Sequence, residues 1–325
     1  MSQKTFSDFA WEGKERVTRR ERFLSEMEAV VPWKEFERLI APHAPRVIPS
    51  EEGGRPAHPV SVLLRIHFCQ NWYQLSDEGA EDALYDSESV RRFCMGSGAM
   101  NEIPSASSIR RFRHLLESHG LQEKLFARVA KLLTEKGIVT KSGTIVDATI
   151  IHAPSSTKNE TKKRDPEMSQ TKKGNQWYFG MKCHIGVDEE SGVVHTAVAS
   201  TAKDADITHL ESLLHGDEDV VIGDRGYASR DAKETLEAEG VRLLTPKKKP
   251  RDGELSKREK ERNRKLSARR AHVEHPFHVI KVLFGYRKTR YRGLLKNFCN
   301  QLTLLLLANL YKLRHDSRLV QPSGC

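Results

Sequence analysis

The stretch Asp219-Val220-Val221-Ile222-Gly223-Asp224 (DVVIGD) places an aspartate directly after a short apolar run. The apolar run predicts a buried strand, and Asp224 then lies at its carboxyl end, where open parallel sheets commonly build their sites. Taken alone, Asp224 is explained equally well by a role in a site and by a structural role. The structural role would be that of a helix N-cap or of an ion-pair partner of Arg225. Its meaning therefore depends on the elements that flank it.

Strand and helix patterns on both sides of this stretch define a fold. Three strands are predicted upstream and one downstream, at 144–151, 177–188, 193–199 and 241–245. The four-residue link between the second and third strands predicts an antiparallel hairpin, whereas the helices predicted at 206–215 and 229–240 predict parallel pairing around the fourth strand. This order is that of the ribonuclease H-like fold: an α/β class with a mixed five-stranded sheet and flanking helices.

The regions outside the sheet predict the domain organisation. Residues 1–140 are mostly helical in pattern, with helices at 15–31 and 60–75, a proline-rich connector at 41–59, and a helical pair at 105–137. Residues 153–175 are polar and predict a mobile loop, and long helices are predicted at 256–284 and 296–314. We expect a helical domain at 1–140, an α/β domain at 141–316 and a tail at 317–325.

Composition narrows the class of partner. The 325 residues carry a formal net charge of +10, which favours an anionic partner, nucleic acid before membrane. The five cysteines are not spaced for zinc or redox chemistry, so we expect reduced thiols. The N-terminus resembles no signal peptide, and the longest apolar stretch, at 302–310, is shorter than a membrane span. A cytoplasmic protein is expected.

Two further acids join Asp224 in this fold. Asp147 interrupts the apolar first strand, and Glu274 lies on the long helix at 256–284. Because the first and fourth strands of such a sheet are neighbours, the three carboxylates are expected to converge at one edge. Carboxylate oxygens suit Mg²⁺ or Mn²⁺, and two such ions can cut a phosphodiester. The alternatives are an Asp147 that bonds backbone amides and a surface ion-pair row of Arg270, Glu274 and Lys281.

At these residues the sequence resembles a known family. The blocks TIVDATIIHAPSSTKN, VIGDRGYAS and RRAHVEHPFHVIK, together with PSASSIRRFRHLLE, are similar to those of bacterial insertion-sequence transposases of the DDE type, in the group named after insertion sequence five. The resemblance implies that Asp147, Asp224 and Glu274 are catalytic and bind two Mg²⁺ or Mn²⁺ ions. Arg270 and Lys281 match the family pattern around the glutamate, whereas Ser267 stands where relatives have tyrosine.

This resemblance implies an enzyme that binds the terminal inverted repeats of an insertion sequence, then cleaves and transfers DNA strands. Its partners would be the double-stranded DNA of element ends and target, and a second copy of the chain on that DNA. Two alternatives stay open: a catalytically inactive, transposase-derived DNA-binding regulator, and a ribonuclease H-like Mg²⁺-dependent nuclease.

Basic residues predict where DNA runs. Residues 247–270 carry 12 lysines and arginines against four acids, and a second basic cluster follows Lys281. The helix after Ser105 displays arginines that could read a groove, or could instead pair with acids such as Glu117. The DNA-binding candidates are Arg270, Lys281, Arg110, Arg111, Arg113, Lys247, Lys248, Lys249, Arg287 and Lys288.

Overall fold

A computed structural model describes residues 11, 13–45, 57–96, 102–158, 160 and 162–319 of the chain. These fall into two compact units, Met1–Leu121 with Leu310–Cys325, and Gln122–Asn309. The division lies nearer the N-terminus than the predicted boundary at 140. The C-terminal segment belongs to the first unit because Tyr311 lies against the Phe23 ring and Arg314 pairs with Glu26 at 3.0 Å.

The first unit is helical, as predicted. Aromatic rings fill its core, where Phe68 lies between Trp33 and Trp72. Several of its helices begin at a residue whose side chain caps the helix. Ser105, for example, accepts a hydrogen bond from the Ser108 amide and so begins the predicted helix. Part of the predicted connector, 46–56, lies outside the described residues. The helices are α1 (Arg19–Val30), α2 (Trp33–Ile40), α3 (Val60–Tyr73), α4 (Asp77–Asp86), α5 (Glu88–Met95) and α6 (Ala106–Ser118).

The second unit begins with α7 (Leu121–Glu135) and is built on a six-stranded mixed sheet. The strands are β1 (Gly143–His152), β2 (Ser169–Lys173), β3 (Gln176–Asp188), β4 (Val194–Thr201), β5 (Val220–Ile222) and β6 (Arg242–Leu244). β3 pairs antiparallel with β1, β2 and β4, whereas β5 pairs parallel with β1 and β6. The spatial order β4-β3-β1-β5-β6 is the predicted ribonuclease H-like arrangement.

The sixth strand, β2, corrects the predicted loop at 153–175. It forms a hairpin with the start of β3, and Gly174 at the turn has a φ of +61°. Its side chains are mostly exposed, so no apolar alternation marks it in the sequence. Asp165 in the same segment accepts a hydrogen bond from the Gly293 amide at 2.7 Å. This segment therefore contains a strand and an anchored turn.

One face of the sheet packs on an apolar core. Val146 and Val221 from the sheet contact Leu210, Leu213, Tyr227 and Leu236, the last of these from α8 (Arg230–Ala238). The helix predicted at 206–215 consists instead of two 3₁₀ turns, Asp206–His209 and Glu211–Leu213. Thr208 donates to the Ala205 carbonyl at 2.7 Å, a local bond that competes with the helical ladder.

The helix α9 (Lys257–His278) runs along β1 and continues into a π-helical segment, Val279–Leu283. Arg270 contacts Asp147 of β1, and Lys281 donates to Thr149 Oγ1 at 2.6 Å. The π-helical segment follows Pro276, whose ring nitrogen cannot donate to the helical ladder. The predicted helix at 256–284 is thus present, with a changed hydrogen-bonding pattern in its last turns.

The last helix, α10 (Leu294–Lys312), covers the edge strand β4. Asn309 donates to the Val194 carbonyl at 2.7 Å and accepts from the Val194 amide at 2.9 Å, so it satisfies backbone groups that an edge strand leaves unpaired. Within the described ranges, no helix has both the length and the apolar character needed to cross a membrane.

Candidate active site

The register of β1 against β5 aligns two of the predicted acids. Ile145 pairs with Ile222 in the parallel ladder. Asp147 lies two residues after Ile145 in β1, on the same face because side chains in a strand alternate with a period of two. Asp224 lies two residues after Ile222, just beyond the end of β5. β5 ends at Ile222, so Asp147 borders the open space beyond the end of its neighbour. The two aspartates are therefore neighbours at one edge of the sheet.

Asp147 is held by two contacts. Its Oδ1 accepts the Ala148 amide at 2.8 Å, and its Oδ2 lies 3.4 Å from the Arg270 guanidinium. Burial raises the pKa of the Asp147 carboxyl, and the nearby carboxylates of Asp224 and Asp206 raise it further, while Ala148 and Arg270 act in the opposite direction. An ionised Asp147 beside Asp224 is therefore energetically unfavourable unless a cation lies nearby.

Asp224 shapes the turn that follows β5. Its Oδ1 accepts the Gly226 amide at 2.7 Å and caps the short 3₁₀ turn Arg225–Tyr227. Tyr227 is buried, and its hydroxyl has no hydrogen-bond partner among the described residues. Burial raises the pKa of Tyr227, and the negative charges of Asp206, Asp147 and Asp224 raise it further. The turn gathers polar groups around Asp224.

Asp206 is a site residue that the sequence analysis does not identify. A Cβ built on Gly226 would lie 2.9 Å from Asp224 Oδ1 and 3.3 Å from Asp206 Oδ2, so the glycine leaves room for the two carboxylates to approach. Asp206 Oδ1 accepts from Lys182 Nζ at 2.8 Å. β4 runs parallel to β1 because both oppose β3, so a residue just after β4 lies at the same sheet edge as Asp224. That topological signal could have identified Asp206.

Glu274 is carried by the helix that runs beside this edge. It is exposed on α9, one helical turn after Arg270, which contacts Asp147. Lys281, further along, reaches Thr149 and the Ile150 carbonyl of the same strand, so Glu274 lies between two anchors on β1. In the described chain Glu274 forms no ion pair with either cation. The predicted ion-pair row is absent, since Arg270 and Lys281 turn to β1 instead.

The chemistry of these donors suits a hard divalent cation, because all are carboxylate oxygens. Their arrangement is not that of a finished metal site. No group of three histidine, cysteine, aspartate or glutamate side chains in the described ranges is gathered closely enough to hold a metal ion. The cation that lies against Asp147 is the Arg270 guanidinium.

The basic candidates of the second unit fall into two environments. Arg270 and Lys281 are partly buried and contact β1, and burial lowers the pKa of Lys281. Lys247 is exposed but pairs with Glu259 at 2.9 Å. The remaining candidates are exposed, namely Lys248, Lys249, Arg287 and Lys288.

The arginines of α6 do not form one surface. Arg113 is 8% exposed and pairs with Asp77 at 2.8 Å and with Glu117 at 3.4 Å, so its predicted DNA contact is not supported and the ion-pair alternative holds. Although burial acts to raise it, hydrogen bonds from Gln70 and Arg113 hold the pKa of Asp77 below its usual range. Arg110 also pairs with Asp77 and is half exposed, which leaves Arg111 on the open face.

Comparison with known proteins gives one family match in the N-terminal part of the chain and another in the part that contains the sheet. The family described as "Transposase DDE domain" matches residues 139–310, and the family described as "Transposase domain (DUF772)" matches residues 11–115. Among solved structures, the piggyBac transposase, determined by cryo-electron microscopy as a synaptic complex with hairpin DNA, is 10% identical. That match covers 93% of this chain and 76% of the other, with a TM-score of 0.48. With more than half its length matched by the first family, the chain belongs to the DDE-domain transposases.

Proposed function

We propose that this transposase cuts DNA at the terminal inverted repeats of an insertion sequence and joins the ends to target DNA, with Asp147, Asp224 and Glu274 as catalytic residues. The observation that carries the proposal is the register of β1 and β5, which aligns Asp147 with Asp224 at the open end of β5. The contact between Arg270 and Asp147 then brings the Glu274 turn of α9 to the same edge.

We further propose that the three carboxylates bind two Mg²⁺ or Mn²⁺ ions. When bound, such ions would activate water or a 3′-hydroxyl and stabilise the leaving oxygen of a phosphodiester. Asp147 and Asp224 would hold them from neighbouring strands, and Glu274 would approach from α9. Arg270 would have to release Asp147, and its guanidinium could then turn to a DNA phosphate. The ion pair of Arg270 with Asp147 shows that its guanidinium reaches this edge of the sheet.

The exposed cations support a path for DNA on the second unit. Lys248, Lys249, Arg287 and Lys288 present their charges to solvent and would attract the phosphate backbone. On the first unit, Arg111 is the α6 arginine best placed to read the element ends. Because one chain offers one such site, two ends call for a homodimer on DNA. We place its action in the cytoplasm, on nucleoid DNA.

A strand-transfer assay tests this function. The full-length protein would be incubated with Mg²⁺, labelled DNA carrying the inverted ends that flank its gene, and a target plasmid. We expect cleaved ends and covalent end–target products. Cleavage without joining would indicate a nuclease, and binding without cleavage would indicate a regulator; either result would contradict the proposal. Scrambled ends serve as the substrate control.

A further inference from the structure

A cationic cleft opens beside the candidate active site. Its volume is about 480 Å³, and among the described residues that line it none is acidic. The cationic residues of the lining are Arg225, Lys233, Lys247, Lys248 and Arg262. We call this the cationic cleft.

The cleft lies at the carboxyl ends of β5 and β6. Arg225 follows Asp224 directly, Lys247 and Lys248 belong to the linker after β6, and Arg262 comes from α9. Because consecutive Cα atoms are about 3.8 Å apart, Arg225 places one end of the cleft directly beside Asp224, a candidate catalytic residue. A strand of DNA that reaches Asp224 would pass the cleft next.

Hydrogen bonds fix the linker wall in place. The Lys247 amide donates to Asn263 Oδ1 at 3.0 Å, and Asn263 Nδ2 donates back to the Lys247 carbonyl at 3.0 Å. Arg262 donates to the Thr245 carbonyl at 3.2 Å. These bonds attach the linker to α9, so the cations are positioned before any ligand binds, which lowers the entropy cost of binding.

The charges of the cleft are only partly compensated. Lys233 pairs with Glu237 and Lys247 with Glu259, whereas Arg225 and Lys248 are exposed and have no ion pair within the described chain. A neighbouring cavity along α9 differs, since Glu259 and Glu261 contribute to its lining. The cationic cleft thus offers an anion at least two uncompensated positive charges, one of them a guanidinium that suits bidentate contact with phosphate.

We propose that the cationic cleft binds a backbone phosphate of the substrate DNA next to the scissile phosphate, chiefly through Arg225 and Lys248. This inference rests on the proposed function, because it takes DNA as the substrate and Asp224 as catalytic. A phosphate contact of this kind positions the strand without reading its sequence. It would fix which phosphate lies over the carboxylates.

The test measures binding of the full-length protein to end DNA in EDTA, so that the outcome is independent of cleavage. Wild type is compared with the double variant Arg225→Gln/Lys248→Gln and with Arg230→Gln, an exposed arginine of α8 that does not line the cleft. Each protein is titrated over a range of salt concentrations, and its thermal unfolding confirms the fold. The double variant should lower the slope of log affinity against log salt by about two, and the control should leave it near wild type.

A second arm identifies the phosphate. End DNAs carrying single uncharged methylphosphonates around the cleavage position should reveal one, beside the scissile phosphate, whose neutralisation weakens wild-type binding but not that of the double variant. Equal slopes together with identical methylphosphonate patterns in both proteins would overturn the proposal. So would stabilisation by inorganic phosphate that the double variant loses while its DNA binding is unchanged. Metal-dependent cleavage by wild type would leave the proposed function standing in either case.

Discussion

The ionised carboxyl of Asp147 lies where it costs the fold stability. Burial raises the pKa of its carboxyl, with Asp224 and Asp206 adding repulsion, so the ionised form is less favourable in the folded chain than in the unfolded chain. Arg270 at 3.4 Å offsets only part of this. A purely structural acid would be expected to show the opposite shift.

We therefore predict that Asp147→Asn raises the Tm of the metal-free protein at pH 7, where an aspartate of the unfolded chain is ionised. The gain should shrink as the pH falls through the folded-state pKa and disappear well below the unfolded-state pKa of about 4, where the aspartate is neutral in both folded and unfolded chains. Thermal unfolding in EDTA across this pH range measures the effect, with Asp252→Asn in the exposed linker as the matched control. A lower Tm for Asp147→Asn at pH 7 would show that the carboxylate is structural.

Single residues differ in how far the sequence predicts them. The alignment of Asp147 with Asp224 follows from strand order, because neighbouring parallel strands bring their carboxyl ends together. Asp206 could have been inferred only by following β4 to the same edge. Arg113 is misleading, since a helix pattern of alternating arginines does not reveal a buried partner such as Asp77 on another helix.

At the scale of elements, a single side chain closes the β3–β4 turn. Asp188 is fully buried at the end of β3, and its oxygens accept hydrogen bonds from the Thr140, Lys141 and Ser191 amides and from the Ser191 hydroxyl. Burial acts to raise the pKa of Asp188, but these donors hold it below its usual range. The turn thus depends on a carboxylate that accepts on both oxygens.

We predict that Asp188→Asn destabilises the protein by about 3 kcal/mol, because an amide offers one accepting oxygen and a donor where the fold supplies donors. The folded-state pKa is lowered, so the carboxylate stabilises the fold above its unfolded pKa and loses that effect as the pH falls through the folded value. Urea unfolding at pH 7 and at acid pH measures this. Asp217→Asn, an exposed partner of Lys141, is the control. Equal midpoints for Asp188→Asn and wild type would refute the assignment.

Elements with a strong apolar pattern are predictable from the sequence, and those held by polar contacts are not. β1, β3, β4 and the helix α8 follow their periodicity. β2, in contrast, is mostly exposed and pairs through its backbone. The 3₁₀ turns after β4 replace a predicted helix because local hydrogen bonds compete with the helical ladder. The position of Glu274 relative to the aspartates is also not predictable from the sequence, because it depends on how α9 lies over β1.

For the whole molecule, the proposed function predicts the assembly. Each chain carries one candidate site, and an insertion sequence has two ends. We predict that mass measurement of the stalled complex on end DNA gives two chains with two ends. The same measurement with scrambled DNA is the control. A complex that joins both ends while containing one chain would contradict the homodimer.

The most direct test of the central claim is the Mg²⁺-dependent cleavage of end DNA by Asp147→Asn, Asp224→Asn and Glu274→Gln, each measured beside its DNA affinity and its fold. We predict that every variant loses cleavage by roughly a thousandfold or more while binding end DNA within about twofold of wild type. Glu274→Gln is the sharpest of the three, since the glutamate is exposed and comes from a helix, whereas the aspartates come from the sheet. Cleavage near the wild-type rate in Glu274→Gln would contradict a catalytic set of three carboxylates.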